Sequence, residues 1–137
     1  LPFVTHKVER AGVHAQLAPG GARMTRVLAV MAVAAVATAP AAAAVPESGV
    51  NGLCPNAVAL MHYIADTYPG VQSIGGVRPD RLPDHPSGHA LDIMIGSNMG
   101  LGDTIAADVR GQSGRFGVKY VLWRVPQHFN HVHVTVL

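Results

Sequence analysis

The chain is poor in cysteine, in charge and in aromatic residues, and each shortage excludes something. Cys54 is the only cysteine among 137 residues, so a disulfide within one chain is excluded, while pairing between two molecules stays open. Cys54 itself is expected to be a small buried apolar residue at a helix start. Charged residues make up only 13% of the chain and aromatic residues 5%. A small domain without disulfides needs another source of stability, and a bound metal ion is the one that the histidines favour.

The longest apolar run, residues 27–39, is too short for a membrane-spanning helix, which needs about 20 apolar residues. Arg26 precedes the run, and three alanines at 42–44 follow it, which is the pattern of a secretory signal peptide with its cleavage site. The sequence therefore predicts a signal peptide at 24–44, an upstream extension of unassigned role at 1–23, and a single domain at 45–137. This domain is expected outside the cell or in the cell wall, with no stable membrane span. An uncleaved membrane anchor is the alternative.

The positive charge of the chain belongs to its first part. The formal net charge is +2, yet residues 45–137 contain six basic and seven acidic side chains. The sequence pI of about 9.0 is thus a property of the predicted leader. The domain also lacks interleaved basic and aromatic residues, so we expect no nucleic-acid partner.

Periodicity and turn residues predict a small α+β domain with the element order αββαββ. After a flexible start at residues 45–52, a helix is expected to begin at Pro55 and a second at an Asp103 N-cap. Strands are predicted at 71–75, 90–95, 118–123 and 131–136, with a long ordered loop before the second strand. The sheet is expected to be antiparallel with the helices on one side, and Tyr120 and Trp123 are expected in the core.

Five of the eight histidines fall into two short blocks, residues 85–92 and 128–133. Because side chains alternate along a strand, His131 and His133 share one face while the intervening valines take the other. Asp92 lies in the middle of an apolar strand, where a carboxylate is costly without a partner. Two neutral imidazoles and one carboxylate would leave Zn²⁺ with positive charge and one open coordination position, which is typical of catalytic zinc sites.

The two blocks also carry a family resemblance. His85, Gly88, Ala90 and Asp92 match the pattern H-x-x-G-x-A-x-D, and residues 131–133 match H-x-H. Over about residues 50–137 the chain resembles the Hedgehog/D-Ala-D-Ala peptidase superfamily, and it is similar to small secreted actinobacterial members. The resemblance implies a zinc metallopeptidase of the D,D-peptidase type that hydrolyses the peptide (amide) bonds of peptidoglycan, so peptidoglycan peptides are the expected partners.

The resemblance also implies a role for six residues. His85, Asp92 and His133 would be zinc ligands. His131 would be the acid/base or transition-state partner, His128 a further active-site histidine, and Arg78 the arginine that faces the substrate carbonyl. Two alternatives stay open: a non-catalytic, zinc-stabilised cell-wall or protein-binding module, as Hedgehog-type domains suggest, and a partner-binding domain without metal.

Two residues depart from the family pattern, and one expected catalytic residue is missing. Pro83 replaces a frequent serine, and Asn130 replaces a frequent aspartate before H-x-H. Glu47 is the only glutamate in residues 45–137 and lies in the segment expected to be flexible, so the glutamate base of the dipeptidase branch is missing. Any general base must then be a histidine, a residue type that ordinarily titrates near neutrality.

His62 and His89 are expected outside the site, and Asp84 is expected to orient a ligand or face water.

Overall fold

The structure, a computed structural model, describes residues 32–39 and 43–137. The predicted upstream extension, 1–23, lies outside the described residues, and so do residues 24–31 and 40–42 of the predicted signal peptide. The chain divides into two compact units, residues 1–38 and 39–137, and the second contains every helix and strand of the described part. In that described part, no helix has both the length and the apolar character needed to cross a membrane.

The second unit consists of one five-stranded sheet and three helices among the described residues. In chain order the elements are β1 Glu47–Ser48, α1 Pro55–Thr67, β2 Ser73–Gly75, β3 Ala90–Met94, α2 Met99–Gly111, α3 Ser113–Phe116, β4 Val118–Leu122 and β5 His131–Val136. The strand order is β1-β2-β3-β5-β4, and every pair is antiparallel except β1 with β2. The predicted α+β class is confirmed. The predicted order αββαββ is supplemented by two short elements, β1 and α3, and β1 makes the sheet mixed.

Helix α1 begins as the sequence predicts, whereas α2 begins earlier. Cys54, half-buried and free, is the N-cap of α1, and Pro55 is its first residue. The expected Asp103 cap of α2 is wrong, because the side chain of Asn98 accepts a hydrogen bond from the backbone N–H of Leu101 and caps the helix there. The glycines at 100 and 102 concealed this first turn, since glycine is a poor helix former.

The core fills one face of the sheet. Leu91 and Ile93 of β3 lie opposite Val134 and Val132 of β5, and all four are fully buried. Helices α1 and α2 contribute further apolar side chains to the same core: Leu60, Met61, Ile64, Ile105, Ala106 and Val109. Because neighbouring residues of a strand face opposite ways, Asp92 and His133 project from the other face.

The loop between β2 and β3 is anchored to the start of α1. Its Gly88 has a φ of 81°, in the left-handed region, and a Cβ at this position would collide with the carbonyl oxygen of Gly52. The carbonyl oxygen of Gly88 accepts a hydrogen bond of 3.0 Å from the backbone N–H of Cys54. The motif glycine therefore has a structural role, which is to let the loop that carries His85 approach the chain before α1.

Candidate metal centre

A cleft of about 340 Å³ lies on the polar face of the sheet. Its lining includes all six predicted site residues: Arg78, His85, Asp92, His128, His131 and His133. The remaining lining residues are Asp80, Leu82, Asp84, Tyr120, Leu122 and Gln127. Two strands and two loops that are distant in sequence thus bring the predicted residues to one place.

The three predicted zinc ligands form one cluster. A donor atom from each of His85, Asp92 and His133 lies within 4.8 Å of the others. Asp92 and His133 are direct partners across the β3–β5 ladder, and His85 reaches them from the loop. His85 is 2% exposed and His133 7%, so both imidazoles are buried. This group could hold a metal ion.

The surroundings of His85 Nε2 are suited to a cation. Its Nδ1 lies 2.8 Å from the carbonyl oxygen of Gly76, which can only accept, so Nδ1 carries a proton and donates it. In a neutral ring, Nε2 then holds a lone pair. This buried Nε2 has no hydrogen-bond partner within the described residues, although Asp92 Oδ2 lies 3.2 Å away. A lone pair facing a carboxylate is unfavourable unless a positive charge lies between them, so the site fits a metal ion.

Asp92 is the common neighbour of the cluster. Its Oδ1 lies 2.9 Å from His133 Nδ1 and 3.6 Å from His131 Nε2, and its Oδ2 lies 3.1 Å from Arg78 Nη2. Burial alone would raise the pKa of Asp92. The close contact with His133 Nδ1, and the positive charge that the surrounding imidazoles carry when they are protonated, outweigh burial and hold this pKa well below its usual range. Asp92 is therefore ionised at neutral pH, as a metal-binding carboxylate must be.

His128 and His131 lie beside the cluster, with ring centroids 4.9 Å apart. His128 Nδ1 is 2.9 Å from the Pro126 carbonyl oxygen, and His131 Nδ1 is 2.7 Å from Asn130 Oδ1. Both oxygens accept, so both rings donate from Nδ1 and leave Nε2 free to take a proton. Burial, together with the neighbouring His128 and His133, lowers the pKa of His131 despite the opposing effect of Asp92. His131 is thus neutral over a wider pH range than an exposed histidine.

Arg78 places a cation at the edge of the cleft. Its Nη1 lies 2.7 Å from Asp80 Oδ2, and its Nη2 contacts Asp92. The side chain is 48% exposed, so it can reorient towards a molecule in the cleft without leaving a buried charge unpaired.

Of the neighbouring aromatic and histidine residues, one does not lie where the sequence predicts. Trp123 is 7% exposed and belongs to the core, as predicted, but Tyr120 is 37% exposed and lines the cleft, so its core assignment was wrong. Tyr120 lies on β4, an outer strand with only one neighbour, where side chains of the polar face meet no second layer. His62 is exposed on α1, and His89 lies outside the cleft lining, both as expected.

Sequence reasoning missed one contributor entirely, Thr135. It is 2% exposed, and its hydroxyl oxygen lies 2.9 Å from His133 Nε2. The alternation that groups His131 with His133 on β5 extends to position 135, so the signal was present. However, threonine is β-branched like the neighbouring valines, so its position in a strand does not by itself indicate a site residue.

The chain matches the model of one known protein family. A family model described as "VldE, C-terminal domain" matches residues 49–133, more than half of the chain, and this span includes all twelve residues that line the cleft. Searches of curated proteins and of solved structures found no significant match. The chain belongs to the VldE C-terminal domain family.

Proposed function

We propose that the domain is a secreted, zinc-dependent peptidase of the Hedgehog/D-Ala-D-Ala peptidase superfamily that hydrolyses peptide bonds of peptidoglycan. The observation that carries the proposal is the buried His85 Nε2, which has no hydrogen-bond partner among the described residues and lies 3.2 Å from Asp92 Oδ2. The two motifs that contain these residues support the assignment to the superfamily.

The donor set favours zinc. Two imidazole nitrogens and one carboxylate oxygen are typical zinc ligands, and all three residues line the open cleft. His85, Asp92 and His133 would hold the ion. A bound zinc ion supplies Lewis acidity, which activates water and polarises a carbonyl group at neutral pH.

The neighbouring histidines supply the proton transfer. His131 presents a free Nε2 on the side of Asp92, so it accepts the proton of the attacking water and returns it to the nitrogen of the departing amine. His128 offers a second free Nε2 close by, and its ring lies 5.7 Å from that of His133. Glu47 is not among the residues that line the cleft, in agreement with a histidine base.

Arg78 assists at the substrate carbonyl. Its guanidinium already reaches Asp92, so a small rotation brings it to an oxygen that binds next to the metal ligands. A cation at the developing negative charge contributes about 3–4 kcal/mol when it is well placed. The cleft is open and bordered by the exposed Leu82 and Tyr120, which suits an extended peptide segment rather than an enclosed small molecule.

The test combines metal analysis with digestion of purified muropeptides by the purified protein. We expect one zinc ion per chain and release of cleaved peptides. His133→Ala should lose both zinc and cleavage, and His131→Ala should keep zinc and lose cleavage by about 100-fold or more. His62→Ala, which alters an exposed histidine on α1, is the matched control and should behave like wild type.

Each contrary result has a defined meaning. If the wild-type protein binds no zinc at neutral pH, or if His133→Ala binds as much zinc as wild type, the assignment of the metal site is wrong. Zinc in the wild-type protein with no cleavage of any muropeptide would instead support the non-catalytic, zinc-stabilised binding module.

A further inference from the structure

A chain of hydrogen bonds runs from the loop before His85 to the far side of His133. Thr135 Oγ1 lies 3.0 Å from Asp84 Oδ2 and 2.9 Å from His133 Nε2. The hydroxyl of Tyr120 also donates to Asp84 Oδ2. Thr135 is buried and Asp84 is half-buried, whereas Tyr120 is exposed at the edge of the cleft.

The direction of these hydrogen bonds depends on where the Thr135 hydroxyl donates its proton. The hydroxyl has one proton, and it can donate either to Asp84 or to His133. An aspartate at neutral pH is an acceptor only, and a hydrogen bond to a charged oxygen is stronger than one to a neutral imidazole nitrogen. Thr135 therefore donates to Asp84, and its oxygen accepts from His133. It follows that His133 carries a proton on Nε2.

We propose that Asp84, acting through the hydroxyl of Thr135, fixes the tautomer of His133 so that Nδ1 is the nitrogen available to the metal. Asp84 and Thr135 are positioning residues, since neither is among the three metal ligands. Tyr120 supports them by donating to the same carboxylate oxygen of Asp84. The proposal rests on the metal-binding part of the proposed function and is independent of peptidase activity.

The arrangement around His133 mirrors that around His85. The backbone carbonyl of Gly76 keeps the proton of His85 on Nδ1, and Thr135 keeps that of His133 on Nε2. In both rings the nitrogen that faces Asp92 is left with its lone pair, although the two nitrogens are chemically different. Without an anchored acceptor, His133 would place its proton on Nδ1 next to Asp92, where it would compete with the metal.

One loop segment serves both ligands. Asp84 directly precedes His85, and its backbone oxygen accepts hydrogen bonds from the His89 backbone N–H at 2.9 Å and from the Ser87 hydroxyl at 3.1 Å. These bonds hold the Asp84 backbone in a tight turn. The same turn that presents His85 from one side thus anchors the carboxylate that orients His133 from the other.

The test compares Thr135→Val with Thr135→Ser in the full chain. Valine keeps the shape and removes the hydroxyl, while serine keeps the hydroxyl. Zinc affinity, measured by competition with a chelator, should fall by about 10–100-fold in Thr135→Val and change little in Thr135→Ser. Asp84→Ala should also weaken zinc, because the Thr135 hydroxyl is then free to donate to His133 Nε2. Asp66→Ala is the charge control, since it removes an exposed carboxylate of α1 that is not among the residues lining the cleft.

A second readout follows the proton itself. In long-range ¹H–¹⁵N spectra of the zinc-loaded wild type and Thr135→Ser proteins, His133 should show a protonated Nε2 that exchanges slowly with water. In Thr135→Val with excess zinc, that proton should exchange faster because it has lost its acceptor. Thermal unfolding of the metal-free variants separates these effects from a general loss of folding.

The proposal is overturned if Thr135→Val binds zinc as tightly as wild type, if Thr135→Ser is weakened equally, or if the zinc-loaded wild type has its His133 proton on Nδ1. If the wild type binds no zinc, this proposal and the proposed function both fail. The expected order of zinc affinities without muropeptide cleavage would reject only the peptidase. Cleavage with unchanged zinc affinity in Thr135→Val would reject only the role of Asp84 and Thr135.

Discussion

Asp103 and Arg124 form a two-pronged ion pair that ties α2 to the loop carrying His128. Arg124 Nε lies 2.7 Å from Asp103 Oδ1, and Nη2 lies 2.8 Å from Oδ2. The indole N–H of Trp123 donates to the same carboxylate at 2.8 Å. Arg124 has a φ of 56°, in the left-handed region, so these contacts also hold an uncommon backbone conformation at the start of the loop.

This ion pair predicts a pH dependence of stability. The hydrogen bonds from Arg124 and then Trp123 lower the pKa of Asp103 to about 2, despite a small opposing effect of desolvation. A carboxyl group whose pKa is depressed on folding stabilises the protein above its unfolded pKa of about 4, and this contribution is lost as the pH falls towards 2. The difference in free energy of unfolding between wild type and Asp103→Asn should therefore shrink between pH 4 and pH 2. Urea denaturation of both proteins at several pH values measures this difference in the free energy of unfolding.

The control for this pH series is Asp66→Asn, which alters an exposed carboxylate on α1. Its difference from wild type should stay nearly constant over the same pH range. A difference for Asp103→Asn that does not change with pH would contradict the assigned role of the ion pair.

Asp108 is predicted to be the polar link between α1 and α2. The hydroxyls of Tyr63 and Tyr68 donate to its Oδ2 at 2.7 and 2.6 Å, and Gln112 Nε2 donates to its Oδ1 at 2.6 Å. Burial and the adjacent Asp108 raise the pKa of Tyr68, so this hydroxyl keeps its proton and remains a donor. Asp108→Ala should lower the free energy of unfolding by about 1–3 kcal/mol, because two phenols lose their charged acceptor. Urea denaturation with Asp66→Ala as control tests this, and a loss similar to the control would refute it.

Gly88 is predicted to be essential for the position of His85. Gly88→Ala introduces a Cβ in a left-handed conformation and against Gly52, so the loop must move. We expect a loss of at least about 2 kcal/mol in the free energy of unfolding together with weaker zinc binding. Gly114→Ala is the matched control: its Cβ would meet nothing within 4 Å, and alanine in helix α3 should be neutral or slightly stabilising. Unchanged zinc affinity in Gly88→Ala would contradict the prediction.

Zinc is predicted to stabilise the fold in a pH-dependent way. At a zinc concentration of 100 times the dissociation constant, the gain is about 2.7 kcal/mol, seen as a higher Tm that a chelator reverses. The gain should diminish as the solution is acidified, because a histidine must be unprotonated to bind a metal ion. His85→Ala should abolish the shift, and Ca²⁺, which prefers oxygen ligands, should not cause it. A similar shift in His85→Ala would refute metal binding at this cluster.

The sequence predicted those parts of the structure that depend on local pattern. The alternation of β5 separated His131 and His133 from the valines, and the isolated charge in β3 singled out Asp92. The bounds of β5 match the prediction, and those of β3 differ by one residue. The pairing of β3 with β5, which brings Asp92 beside His133, does not follow from these local patterns, and the set of three ligands came from the family resemblance.

Other features depend on contacts that no local pattern reveals. Gly102 lies inside α2 because the Trp123 ring occupies the space of its Cβ, a contact between residues 21 positions apart. The two-residue strand β1 exists only through its pairing with β2. Likewise, the role of Thr135 depends on Asp84, which is 51 residues away in the chain.

The pairing of β5 with β3 makes the assembly of the His85, Asp92 and His133 cluster depend on correct folding. A shift of β5 by one residue would exchange His131, His133 and Thr135 with the valines between them, placing imidazoles in the core and valines in the cleft. The apolar core penalises that register, so the same burial that stabilises the domain also assembles the cluster. The fraction of chains that take up one equivalent of zinc should therefore equal the fraction that has folded in the native register.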